Sequence, residues 1–581
     1  MKNLFEVDIR SLALFRVCIG SLVFVDILSR ICDLEAFYSD FGVLPRTLYL
    51  SFYQNWHFSL CLLHGSLGWQ CILAILTLCF AVLLVVGYRT RLAAFAIWIL
   101  MLSFNARNPL ILNGGDVLFL ILLFWGMFLP LNACYSIDSA LNTGDKPPKK
   151  IISGGTCGIL LQGFFLYFFT GLFKISPEWV QEGSAIYYAL SMDQYVKPIG
   201  KLLLNFPFML KYLTFGILCF EIIGALLLFS PVFTAFFRMV IIFCVLCMHI
   251  GFGLILDVGY FPFAGTFAII AFLPSGFWDK ITFSLKTNER LGLKIYYDGD
   301  CGFCKKLVYI IKEFFLIPEV VLTTTQSDKA IYEDMQKHNS WVVVDYKGNK
   351  HFKFDALVYV LSVSPLIYPL TFILKWTPIK LLGKFLYEMV AANRKLASYF
   401  TKPFSFHLLK FKPLFVTNLL AVFFTVYILL LNIESLPFAQ FKIPQYGKWI
   451  GYIVNVNQKW SMFGADYIKF DGWHVIQGVV KSGKQINVLN ENQILTFDKP
   501  DDVLCIYKNK RWKAYMRNVF LPDYKYLING YLRYLCTNWN KTHFDNNALK
   551  YFYVYFMNEQ SKFDIKVSEV KKHLLYSYSC D

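Results

Sequence analysis

Two cysteines in one short loop carry the most specific chemistry in the chain. Cys301 and Cys304 stand in GDCGFC, behind the apolar run LKIYYD and ahead of KKLVYIIKEF. A CxxC pair where a strand turns into a helix puts the first sulfur at the helix N-terminus. Free N–H groups and the helix dipole there favour a thiolate. Lys305 and Lys306 add positive charge, and Asp298 and Asp300 oppose it. In this arrangement Cys301 attacks a disulfide and Cys304, one turn on, resolves the mixed disulfide. A structural metal half-site and a pair of inert thiols are the competing readings. Zinc needs further Cys or His ligands, and His338 and His351 lack ligand spacing, so no metal is expected.

A second candidate is Lys174, which ends the apolar run LLQGFFLYFFTGLFK and precedes Ile175-Ser176-Pro177-Glu178-Trp179. A lysine there either snorkels to the membrane interface beside Trp179 or is desolvated and acts as a base. Cys244, Cys247 and His249 lie on adjacent helical turns. They read either as a thiol pair or metal half-site, or as ordinary bundle residues. Arg16 and Asp26 lie in the first apolar run and are read as snorkelling to opposite faces. Glu221 is expected to face the bundle interior, and Asp116, after Gly114-Gly115, to cap the helix it opens.

These residues sit in an unusually greasy chain. Of 581 residues, 56% are hydrophobic and 16% charged, and the mean hydropathy is +0.48. Intrinsic disorder and an ordinary soluble enzyme are excluded. The expected fold is a polytopic α-helical membrane bundle of about 8–9 spans with attached soluble parts. Spans are read near 11–29, 68–87, 92–105, 116–132, 156–174, 212–230, 235–256, 260–276 and 412–432. Arg89, Arg91, Lys146, Lys149 and Lys150 mark the cytoplasmic side. Residues 277–411 then stay cytoplasmic, and the last span carries 433–581 to the outer side. This organisation fits a multi-pass protein of a bacterial inner membrane. The net charge of +17 suits basic cytoplasmic loops, and no nucleic-acid motif accompanies it. The fifteen cysteines mostly lie singly in apolar runs (Cys18, Cys71, Cys79, Cys157, Cys219), unlike a disulfide framework. The charged start MKNLFEVDIRSLALFR lacks a small-residue cleavage site, so no signal peptide is expected.

The soluble parts read differently from one another. Residues 291–400 follow β-α-β-α-β-β-α, the thioredoxin arrangement, with a hairpin around Tyr346-Lys347-Gly348-Asn349. The tail holds alternating stretches, WHVIQGVV and KQINVL, with turns at Asp471-Gly472 and Ser482-Gly483. A small β-rich element is expected there, followed by aromatic-rich helices over roughly 511–557. The division is 1–280 for the bundle, 291–400 for the α/β domain, 412–432 for a further span and 433–581 for the tail.

YYDGDCGFCKKLVYIIKEF, WVVVDYKGN and LYEMVAANRKL resemble the DCC-type thiol-disulfide oxidoreductase family. That resemblance implies a thioredoxin-like fold with Cys301 and Cys304 as the redox pair, supported by Tyr387, Asn393 and Arg394. No proline precedes the strand at Trp341, where thioredoxins place one beside the cysteines. SLALFRVCIGSLVFVDILSR, FYSDFGVLPR, GYRTRL and FLYFFTGLFKISPEWVQEGSAIYYAL resemble the HTTM domain, as do QKWSMFGADYIKFDGWHVIQG, KRWKAYM and LCTNWN in the tail. That domain is similar to the membrane part of vitamin K-dependent gamma-carboxylases. There, a lysine in the place of Lys174 is the base that deprotonates a hydroquinone. The carboxylase histidine of the second luminal loop is missing, since no histidine lies between His64 and His249.

Three functions follow as expectations. The first is a membrane thiol-disulfide oxidoreductase that acts on a protein or small-molecule disulfide and is coupled to a bundle that holds a quinone or hydroquinone. The second is a carboxylase-like enzyme with Lys174 as base. The third is a scaffold or transporter embedded in the lipid membrane.

Overall fold

A computed structural model describes residues 2–52, 58–411, 413–464, 470–560 and 570–580. The first half is a helical bundle. Three of its helices begin at side-chain caps that satisfy free N–H groups as follows. Asp8 caps Ile9–Ile31. Ser153 and Thr156 form a capping box on Gly154–Phe173. Asn113 and Asp116 do the same on Gly114–Gly126, as expected for Asp116.

Six described helices are long and apolar enough to cross a membrane, which makes this an integral membrane protein. They are Ile9–Ile31, Leu67–Val86, Gly154–Phe173, Pro207–Leu227, Thr234–Ile255 and Phe415–Ser435. Phe261–Phe272 and Ser275–Ser284, bent by 89°, make a seventh if taken as one span. Eight to nine spans were expected. The difference lies in Thr90–Arg107, which carries Arg91, Asn105 and Arg107, and in Gly114–Gly126, which has only 13 residues. Thr90–Arg107 still runs between the two ends of the bundle. Arg89 and Thr90 bond Asp138 at one end, and Arg107 reaches Ser39 at the other.

Arg16 and Asp26 are held by partners inside the bundle rather than snorkelling. Arg16 is enclosed and donates to the Leu131 carbonyl at 2.9 Å. Asp26 is enclosed too and accepts from Arg30 Nε at 2.7 Å. Burying a charge in lipid is costly, and a fixed partner offsets more of that cost than a strained path to the interface.

The α/β unit holds a four-stranded sheet in the order Val321–Thr324, Lys294–Tyr297, Val342–Val344, Lys350–Phe352. The first pair is parallel and the other two are antiparallel. This is the element order read from the sequence, including the hairpin, whose Gly348 sits at φ +87°. Val308 and Ile311 of the helix Gly302–Phe314 bury one face against Ile295 and Val343. The unit docks on one end of the bundle, where Glu313 accepts from Tyr135 N at 2.6 Å and from Ser139 Oγ at 2.8 Å.

The tail covers the opposite end. Its antiparallel sheet runs Val570–Ser579, Leu549–Gln560, Phe470–Val480, Gln485–Asn487. The Ser482-Gly483 turn is present. Asp471-Gly472 is not a turn, because both residues pair within the strand, opposite Glu559 and Asn558. The expected helices end at Asn540, and residues 549–557 form a strand. Their aromatic residues alternate between two faces, a period of two that suits a sheet. Cys536 and Cys580 form a disulfide, which the scattered cysteines did not suggest. The motif segment 465–469 lies outside the described residues.

Candidate functional site

Cys301 is the N-cap residue of Gly302–Phe314, and its Sγ accepts from Cys304 N–H at 3.3 Å. The Cys304 thiol and N–H bonds hold the Cys301 thiol down at about 6, against opposing burial and the charge of Asp298. The Arg394 guanidinium adds to the lowering. Cys304 is pushed well up, because its thiol is held by the Cys301 sulfur and is half-buried. One sulfur is thus a thiolate at neutral pH and its neighbour a thiol.

The surrounding charges form a chain. Arg394 approaches Asp298 at 3.8 Å and donates to the Asn339 carbonyl and Oδ1, both at 2.9 Å. Gln326 Nε2 donates to Asp298 at 3.0 Å and to Asp300 at 3.3 Å. Gln326 and Asn339 were not anticipated, since nothing marks TTTQSD or KHNS in the sequence. Asn393 donates back to Met389 O at 2.8 Å and takes no part. Lys305 and Lys306 also turn away. Lys305 lies over the Phe406 ring and Lys306 donates to Thr401 O. Among the described residues no group of His, Cys, Asp or Glu is arranged to hold a metal.

A second constellation forms in the bundle. Lys174 ends the Gly154–Phe173 helix and is only 4% exposed. Its Nζ is ion-paired with Glu221 and sits 4.9 Å over the Trp179 ring. The snorkelling reading is therefore replaced by burial. Glu221 lies on the π-helical turn Phe220–Gly224 and Trp179 on another, Glu178–Glu182. Such turns push an extra residue out of register and are common at functional sites. Tyr167 Oη shares a hydrogen bond with His249 Nε2 at 2.9 Å. Among the described residues His249 Nδ1 and Glu221 Oε2 are buried without a partner. All four polar groups line one small chamber with Trp460 and Phe252. His249 thus joins Lys174. Cys244 and Cys247 do not, and Cys247 faces outward.

The two constellations are far apart. The N-terminal end of the Lys174 helix adjoins Lys150–Ile151, which pair with Val7–Asp8 on the α/β side. Twenty residues place Lys174 about 30 Å away, where Trp179 donates to Phe463 O under the tail.

The apolar helices and two family matches together define the class, a membrane redox protein. Residues 5–277 match the HTTM domain. Residues 295–399 match the DCC1-like thiol-disulfide oxidoreductase domain. The chain thus carries an HTTM domain followed by a DCC1-like domain, and the second supports an oxidoreductase class in general. No curated protein and no solved structure matches it.

Proposed function

We propose that the protein is an integral membrane thiol-disulfide oxidoreductase whose active pair is Cys301 and Cys304, on a thioredoxin-like fold. The observation that carries this is the partly exposed Cys301 sulfur, capped by Cys304 N–H at a helix start. The Cys301 thiolate attacks one sulfur of a substrate disulfide and expels the other as a thiolate. Cys304 then gives up its proton and attacks Cys301. A Cys301–Cys304 disulfide forms and the substrate leaves with two thiols. Arg394 and Asp298 are positioning residues that tune the Cys301 charge.

The basic end of the bundle, with Arg89, Arg91 and Lys149, carries the DCC1-like domain. The disulfide lies at the far end. Both features favour a cytoplasmic redox domain and an outer tail. Reduced full-length protein in which Cys301 and Cys304 are the only free cysteines should rapidly reduce the soluble aromatic disulfide DTNB, and Cys301→Ser should remove that fast reduction. Retained fast reduction in that variant would discard the proposal in favour of a scaffold or transporter.

A second reading is supported by the buried Lys174–Glu221 pair. With its proton passed to Glu221, Lys174 would act as the base toward a hydroquinone, with His249 and Tyr167 lining the chamber. Lys174→Ala should then remove hydroquinone-dependent epoxide formation. If the native protein forms no epoxide, this reading fails. The expected coupling of one bundle-held quinone to the cysteines does not follow, because about 30 Å of helix separates the two sites.

A further inference from the structure

An apolar cavity of about 360 Å³ opens beside Cys304. Its wall is built by Phe303, Leu307, Trp341, Leu386 and Val390, with the Cys304 side chain among them. A charged, water-soluble disulfide has no use for such a lining. In the proposed exchange a substrate disulfide meets the Cys301 sulfur, and Cys301 does not line the cavity. The cavity is also open. Leu386 and Val390 remain 44% and 40% exposed although they form its wall. The helix that carries them, Thr377–Ala392, is apolar on its outer face too, where Leu381 and Phe385 are 63% and 64% exposed. A lipophilic molecule would therefore cross apolar surface to enter. The polar groups on the lining include Arg394 and Asp298, a donor and an acceptor suited to carbonyl and hydroxyl oxygens. The volume suits one substituted ring and the start of a chain.

We infer that this cavity binds a lipophilic quinone, which accepts two electrons from the Cys301/Cys304 pair. The inference rests on the redox role of that pair. In the step, a sulfur–sulfur bond forms between Cys301 and Cys304 and the S–H bond of Cys304 breaks. Two electrons pass to the quinone ring. Its two oxygens take one proton from Cys304 and one from solvent, and a hydroquinone leaves. A diffusing carrier also meets the geometric problem that the Lys174 chamber lies at the opposite end of the bundle.

The test uses full-length protein in detergent, reduced and then freed of reductant, with decylubiquinone as probe, whose fully substituted ring resists simple thiol addition. The native protein should reduce the quinone with loss of two thiols, and Cys301→Ser should not. Ala391→Trp, which fills the cavity, should slow quinone reduction by at least about tenfold while DTNB is still reduced. Ala392→Trp, next along the helix but outside the cavity, should leave quinone reduction intact. An azidoquinone photolabel should map to 383–394. Native protein that reduces DTNB but not the quinone overturns the inference alone. Native protein that reduces neither overturns the redox reading as well. Quinone reduction at the native rate by Ala391→Trp, or a label that maps elsewhere, also overturns the inference.

Discussion

At the scale of single residues, the Cys301 charge is set by a few named neighbours, and each can be moved separately. Alkylation of Cys301 should rise with pH through an inflection near 6, where the thiolate forms. Arg394 favours the thiolate, so Arg394→Leu should move that inflection up. Asp298 disfavours it, so Asp298→Asn should move it down. Iodoacetamide rates against pH, read at Cys301 by mass spectrometry in reduced protein that keeps Cys304, would check both signs. Asp471 gives a second titration. Burial, helped by the charge of Asp193, pushes this carboxyl up to about 7. The folded tail thus holds a proton that the unfolded chain releases near 4. Stability is fully present below about pH 4 and declines as pH rises toward 7, by no more than about 4 kcal/mol. Asp471→Asn should flatten this slope in the thermal midpoint between pH 4 and 8. Cys301, Cys304 and Lys174 were legible from residue type and position. Gln326, Asn339 and Glu221 were not linked to them, because their partners lie far away in sequence.

At the scale of elements, the tail is fastened to the bundle by charge. Arg511, from the helix Lys510–Val519, pairs with Asp26 and, at 3.3 Å, with Asp116. Nearby Asp33 accepts from Lys508 at 2.7 Å and from Asn509 at 2.6 Å. Removing Arg511 leaves Asp26 and Asp116, two buried carboxylates, to share Arg30. Arg511→Met should cost about 3–5 kcal/mol in thermal unfolding, and adding Asp26→Asn should restore part of that loss. The misread elements share one cause. Residues 549–557 are rich in aromatics that fit either a helix or a strand. Pairing with Phe470–Val480 on one side and Val570–Ser579 on the other decided the matter.

At the scale of the whole molecule, the thiol pair and a free cysteine of the tail occupy opposite ends. Cys301 lies in the DCC1-like domain, whereas Cys505 is free and exposed in the tail. In sealed vesicles of uniform orientation, a membrane-impermeant maleimide should label single-cysteine Cys301 or single-cysteine Cys505, never both from one side. Labelling of both would sink the proposed topology. The Cys536–Cys580 bridge closes a separation of 44 residues. Replacing both cysteines by serine should cost the tail about 2–4 kcal/mol, read as a lower thermal midpoint in oxidising buffer and no change in reducing buffer.

Local patterns alone determined the membrane class, the order of elements in the α/β unit and the thiol pair at its helix start. Each depends on residues within a few turns of one another, where periodicity and capping act. Tertiary structure alone decided that His249 and Glu221 meet Lys174, that Arg511 closes on Asp26, and that an apolar cavity lies behind Cys304. Those contacts join segments up to hundreds of residues apart, and burial energy selects them only once the helices and sheets have packed.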